Sequence, residues 1–309
     1  MVDPETFLTE LYVAVDTLCK AGIPLPIHPG PASALSPSEV VTLAIYGQWT
    51  RFGSETAYYG EVWRGLRPLF PTLPSRPQFN RAIRAHQATI AAVAQALGAQ
   101  VAVGDERAYE IVDGTGLATR NAKRRGHGWL WGQADIGKCT RLGWYEGVRL
   151  LVATTPGGVI TGWGIGPAST NDRVLAETFF AARADPQPGL PGVGVPVSDR
   201  YVADMGFSGR DCQPHWDAAY AAVVVSAPQT GSTRAWSKPW RRWLAGIRQG
   251  IESVNDRLLD VCGLERERPH AMSGLLARLA AAVGLHNFCC WLNRKHGRGL
   301  LGFADLVDW

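Results

Sequence analysis

The sequence predicts an α/β protein: a mixed sheet flanked by helices, preceded by an all-helical module. Two observations carry this. Apolar residues recur at helical spacing through the first hundred residues and again over residues 240–296. Between them, residues 105–230 change to short apolar runs bounded by Gly, Pro and Asp, which read as strands. The order helices, strands, helices is that of a mixed α/β core carrying an N-terminal helical unit. The expected division is 1–100 for the helical module, 101–296 for the core and 297–309 for a C-terminal tail.

Each element follows from local pattern. In residues 6–20, Phe7, Leu11, Val15 and Leu18 fall on one helical face. A Pro/Gly stretch at 24–31 reads as a linker. Ser36-Pro37-Ser38-Glu39 is a capping box with proline at the first helical position and opens a helix over 40–52. A second box, Ser75-Arg76-Pro77-Gln78, opens one helix with Phe79, Ile83, Ile90, Val93 and Leu97 on a common face. Residues 108–112 form a short strand ending at Asp113-Gly114. Residues 145–155 and 159–165 flank the turn Pro156-Gly157-Gly158, a hairpin signal. A strand at 201–203 leads into Asp204-Met205-Gly206-Phe207. Residues 220–226 are Val-rich and read as a strand buried on both faces. Leu244, Ile247, Ile251, Val254, Leu258 and Val261 mark a strongly amphipathic helix, and a last helix spans about 273–293.

Composition limits the function classes. The chain has 309 residues, and 46% of them are hydrophobic, enough for a sizeable core. The formal charge of +4 excludes a polycation, so a nucleic-acid partner requires locally concentrated charge. No basic n-region with an apolar h-region opens the sequence, and no membrane span is expected. Six cysteines without a CxxC spacing read as reduced thiols of a cytosolic protein. His286, Cys289, Cys290 and His296 could form a zinc site, but buried cysteines packing on a helix are the preferred reading.

Three acids stand where metal chemistry needs them. Asp113 and Asp204 each close a short strand, Asp113 directly before Gly114 and Asp204 two residues before Gly206. Glu252 lies at the edge of the apolar stripe of its helix, with Arg248 one turn before it and Asn255 about one turn after. Three carboxylates converging from two strands and a helix would make a hard oxygen site for Mg²⁺ or Mn²⁺. Each also has a plainer reading, as turn chemistry or a solvated helical pair, and Asp135, Asp172 and Asp199 compete. Positive charge clusters at Arg120, Lys123, Arg124 and Arg125, and again at Arg234, Lys238, Arg241 and Arg242. The second cluster interleaves with Trp236, Trp240 and Trp243. Basic residues neutralise phosphates and aromatics stack on unpaired bases. Arg76, Arg81 and Arg84 on the second capped helix are further DNA-contact candidates.

Ile111-Val112-Asp113-Gly114-Thr115, Ala203-Asp204-Met205-Gly206-Phe207 and Arg248-Gln249-Gly250-Ile251-Glu252-Ser253-Val254, in this order, resemble the DDE transposases of bacterial insertion sequences. The hairpin from Tyr145 to Leu150 with its Pro156-Gly157-Gly158 turn, and Gly166-Pro167-Ala168-Ser169-Thr170-Asn171-Asp172, are similar to further family motifs. The resemblance runs over about 35–293. Met205 and Phe207 stand where the family's second motif has Lys and Tyr. The resemblance implies an RNase H-like fold, with Asp113, Asp204 and Glu252 as catalytic metal ligands for two Mg²⁺ (or Mn²⁺) ions. It implies that Arg248 is the family's basic residue before the Glu. It also implies double-stranded DNA as partner, both terminal inverted repeats and target DNA, a homodimer on that DNA, and a nucleoid-associated place in a bacterial cytoplasm. An RNase H-like nuclease without strand transfer, and a domesticated non-catalytic DNA-binding protein, stay open as alternatives.

Overall fold

The computed structural model describes residues 1–26, 33–102, 109–120, 130, 132–186, 192–228, 235–265 and 269–309, with only the backbone of Arg120. The chain divides into two compact units. One comprises Met1–Val101 with Leu258–Trp309, the other Ala102–Arg257.

The α/β unit is a six-stranded mixed sheet with helices. Its strands are β1 (Glu110–Arg120), β2 (Asp135–Cys139), β3 (Gly143–Thr154), β4 (Ile160–Pro167), β5 (Arg200–Ala203) and β6 (Val223–Ser226). The order is β2-β3-β1-β5-β6, with β4 also paired to β3. The first three long strands run antiparallel, whereas β5 joins β1 in parallel, Ile111 opposite Val202, and β6 joins β5 in parallel. The crossovers carry α6 (Asp172–Ala184) and α7 (Cys212–Tyr220). Val112, Leu151, Phe179, Phe180, Tyr201 and Trp216 are among the residues of the buried core, and Phe180 meets Trp216 edge-on at 5.4 Å. This is the mixed sheet flanked by helices of an RNase H-like fold.

Three expectations change. The strand at Asp113 does not end there. β1 continues to Arg120 because Asp113 through Ala118 pair with β3, so Asp113 projects from the strand interior. Residues 220–226 do not form a doubly buried strand. The first of them end α7, and β6 lies at the sheet edge with Val223 and Val225 exposed, alternating with buried Val224 and Ser226. β2 lies where no strand is expected.

The helical unit contains α1 (Pro4–Lys20), α2 (Pro37–Tyr46), α3 (Glu55–Glu61), α4 (Arg76–Ala85), α5 (Gln87–Ala102) and α9 (Met272–Lys295). The capping box at Ser36 forms as expected, with Glu39 N–H donating to Ser36 Oγ and Ser36 N–H to Glu39 Oε2. The single helix expected after Ser75 is two, because His86 leaves helical geometry at φ −91°, ψ 14°. α9 is buried nearly all round. Phe288 meets Phe7 of α1 at 5.1 Å, Gly284 lets α9 close on Ile45 of α2, and Asn287 Nδ2 donates to Ala94 O of α5 (3.0 Å). So α9, expected within a 101–296 unit, packs with the N-terminal helices. Residues beyond it are not a loose tail: Val307 bridges Val2, and Trp309 stacks edge-on to Trp49 at 5.4 Å. By length and composition α9 could cross a membrane, but 83% of its most apolar window is buried within the protein.

Candidate active site

The site lies wholly in the α/β unit. α8 (Lys238–Asp256) packs along β1 and β5, with Leu244, Ile251, Val254 and Asn255 buried. That face is the one its apolar periodicity marks, and it carries Arg248, Glu252 and Asn255 to the flank facing the strands. Asp113 projects from β1. Asp204 follows β5 directly and is held by its own turn, Gly206 N–H donating to its Oδ1 at 2.6 Å.

These elements bring the three expected acids together. Arg248 Nη2 stands 3.6 Å from Asp113 Oδ1, 3.9 Å from Asp204 Oδ2 and 3.7 Å from Glu252 Oε1. One guanidinium thus faces a carboxylate oxygen from each of three elements. Asn255 Nδ2 donates to the other oxygen of Asp113 (3.1 Å). Among the described residues no three His, Cys, Asp or Glu stand as a preformed metal group. The cationic centre between the acids is instead the Arg248 side chain.

The three acids differ in burial. The side chain of Asp113 is 14% exposed, that of Asp204 32% and that of Glu252 57%. Desolvation pushes Asp113 up to about 7; Arg248 pulls it down, while Asp204 pushes it up. Arg248 alone therefore does not hold the buried Asp113 carboxyl fully ionised near neutral pH. Two polar atoms of the same cluster, Arg248 Nε and Asn255 Oδ1, are buried without a hydrogen-bond partner. Hard oxygen donors from rigid elements, an undercompensated buried carboxylate and an orphaned amide oxygen fit Mg²⁺ or Mn²⁺.

A comparison with known families identifies the kind of domain. Residues 110–288 match the family model of the transposase DDE domain. The chain belongs to the DDE transposase family. No match was found among curated proteins or among solved structures. The matched span begins in β1, ahead of Asp113, and includes Asp204 and Glu252. Transposases of this family act on DNA and generally use divalent metal ions, so the DDE chain described here is a transposase- or nuclease-type protein.

The basic candidates fall into three groups. Lys238, Arg241, Arg242 and Trp240 are exposed on the first turns of α8, where Trp236 and Trp240 meet edge-on at 6.5 Å. A cleft of about 310 Å³ beside them is lined by Asp204, Met205, Trp236, Arg241, Leu244 and Arg248. Arg76, Arg81 and Arg84 are exposed on α4, in the helical unit. Lys123, Arg124, Arg125 and Arg234, like Trp129 and Trp131, lie outside the described residues, as does the Arg120 side chain. Cys289 and Cys290 are fully buried in α9, and burial holds the Cys289 thiol well above its usual range, so both act as packing residues.

One feature of the site has only a faint trace in the sequence. Arg149 of β3 binds the carboxylate of Asp172, at the start of α6, with both Nε and Nη2, the latter at 2.7 Å. Asp172 competes as an acid in the sequence, but nothing there pairs it with Arg149 across 23 residues.

Proposed function

We propose that this transposase binds terminal inverted repeats, cleaves DNA and joins the freed 3′-hydroxyl ends to target DNA, with Asp113, Asp204 and Glu252 holding two Mg²⁺ (or Mn²⁺) ions. The observation that carries the reading is the placement of one oxygen from each acid within 4 Å of a single cationic nitrogen, Arg248 Nη2. A place that gathers three carboxylates around positive charge is one that divalent ions can take.

The chemistry is two in-line displacements at phosphorus. In the first, a water oxygen forms a P–O bond as the bond to the 3′ oxygen breaks, leaving a 3′-hydroxyl and a 5′-phosphate. In the second, that hydroxyl attacks a target phosphodiester and displaces its 3′ oxygen. Bound metal would supply activation of the attacking oxygen and stabilisation of the leaving one. Asn255 holds Asp113 in a fixed rotamer through its 3.1 Å hydrogen bond. Arg248 offsets part of the carboxylates' charge in the free protein and offers a guanidinium to phosphate when DNA is present. Lys238, Arg241, Arg242 and Trp240 would contact DNA from α8, with Trp236 just before it, and Arg76, Arg81 and Arg84 from α4. Arg120, Lys123, Arg124 and Arg125 are further DNA-contact candidates by their charge in the sequence, and a homodimer would bring two element ends together.

The test incubates the protein, Mg²⁺ and a plasmid target with a donor duplex carrying the DNA that flanks the gene. Joined donor–target molecules are the expected product. Nicks or hydrolysed ends without joining would select a nuclease. Salt-sensitive duplex binding without any cleavage would select a non-catalytic DNA-binding protein.

A further inference from the structure

The Arg149–Asp172 pair stands directly behind the carboxylate site. Neighbouring strand residues face opposite sides of a sheet, so while Asp113 faces α8, the position of a side chain at Gly114 faces the other way. That space is filled. A Cβ on Gly114 would collide with Asp172 Oδ1 and lie 3.3 Å from Arg149 Nε. The turn that carries Asp204 is closed by the same carboxylate: a Cβ on Gly206 would lie 2.9 Å from Asp172 Oδ2 and 2.8 Å from Asp204 Oδ1. Asp172 therefore touches the backbone beside both acids, at two positions where glycine alone leaves room.

Its chemistry differs from theirs. Both Asp172 oxygens are engaged by one guanidinium, a bidentate pair whose side chains are only 15% and 16% exposed. Each of its oxygens already accepts a hydrogen bond from Arg149, so the pair is placed to support the acids rather than to replace one of them. Asp172 also cancels the positive charge of Arg149, which would otherwise stand uncompensated behind a cation site.

We propose that Arg149 and Asp172 are a positioning pair for metal binding: they wedge the strand of Asp113 and the turn of Asp204 in place and keep the rear of the site neutral. This rests on the metal-site reading above. Removing Asp172 leaves an unbalanced guanidinium that repels divalent cations and a wedge that no longer fits.

The experiment is Mn²⁺ titration of the full-length protein in the absence of DNA, read by the electron paramagnetic resonance signal of free Mn²⁺. Asp172→Asn should weaken Mn²⁺ binding by about 10- to 100-fold, the usual effect of losing a group that supports metal ligands. Gly114→Ala, which keeps every charge but obstructs the pair, should do the same and serves if Asp172→Asn does not fold. Arg149→Gln combined with Asp172→Asn removes both charges and should recover part of the loss, which a merely structural role would not produce. Asp135→Asn is the control. Asp135 accepts from Ser169 N–H at 2.8 Å in the loop before α6, so this change loosens the loop without touching the pair, and affinity should stay within about twofold. Wild-type affinity in both Asp172→Asn and Gly114→Ala would overturn the proposal while leaving the metal site standing. Mn²⁺ binding that is unchanged by Asp113→Asn and Glu252→Gln would instead overturn the metal site, and this inference with it.

Discussion

Asp113 is the residue on which the site's energetics turn. Its carboxyl titrates near 3.8 in an unfolded chain and is pushed up to about 7 in the folded one, chiefly by desolvation. Between these two values the folded state binds a proton that the unfolded state has released. The stabilisation is complete below pH 3.8 and is lost as the pH rises through 7. In metal-free buffer, Asp113→Asn should make the protein more stable at pH 8 by on the order of 3 kcal/mol, with a smaller gain at about pH 5. Thermal melts in chelator at the two pH values check this; an equal gain at both would contradict it. The same substitution removes a proposed metal ligand, so stability and function oppose each other at this residue.

Among the elements, α8 carries two jobs on one length of helix. Its buried stripe is legible in the sequence, since residues from Leu244 to Val254 repeat at three and four. That stripe fixes which flank Arg248, Glu252 and Asn255 share. Its first turns are exposed and hold Lys238, Arg241 and Arg242 beside the tryptophans. Changing these three to Gln should reduce the slope of log affinity against log salt for a duplex by about one for each phosphate left without its cation. Fluorescence anisotropy from about 50 to 200 mM salt, a range set by the usual sensitivity of such ion pairs, provides the measurement. An unchanged slope would remove α8 from the DNA surface.

Other elements are less legible for physical reasons. Asp113-Gly114 reads as a strand end, yet β1 runs on through its pairing with β3, and close neighbours demand both Gly114 and Gly116. A Cβ at Gly116 would lie 2.8 Å from the Tyr145 ring. β2 is a five-residue strand with little hydrophobic signal, ordered by its pairing with β3. His86 divides α4 from α5 without proline or glycine to mark the break. In each case partners distant in sequence decide the local structure.

For the whole molecule, the division into a helical unit and an α/β unit is legible in outline, from the change of periodicity near residue 100. The return of α9 and the C-terminal residues to the helical unit is not. An apolar helix buried all round has no polar face to say which neighbour it seeks. The three acids stand out because each lies on or beside an element with a clear pattern. The Arg149–Asp172 pair does not, because only the fold brings its two halves together.

Whether Asp113, Asp204 and Glu252 act together in metal-dependent phosphoryl transfer is tested most directly by the rate of donor cleavage in Mg²⁺. The rate is measured for the wild type and for Asp113→Asn, Asp204→Asn and Glu252→Gln, each confirmed folded by circular dichroism. Every substitution should lower it by roughly a thousandfold or more, and chelation should abolish cleavage in the wild type. Full activity in the three variants would contradict the shared role of these acids.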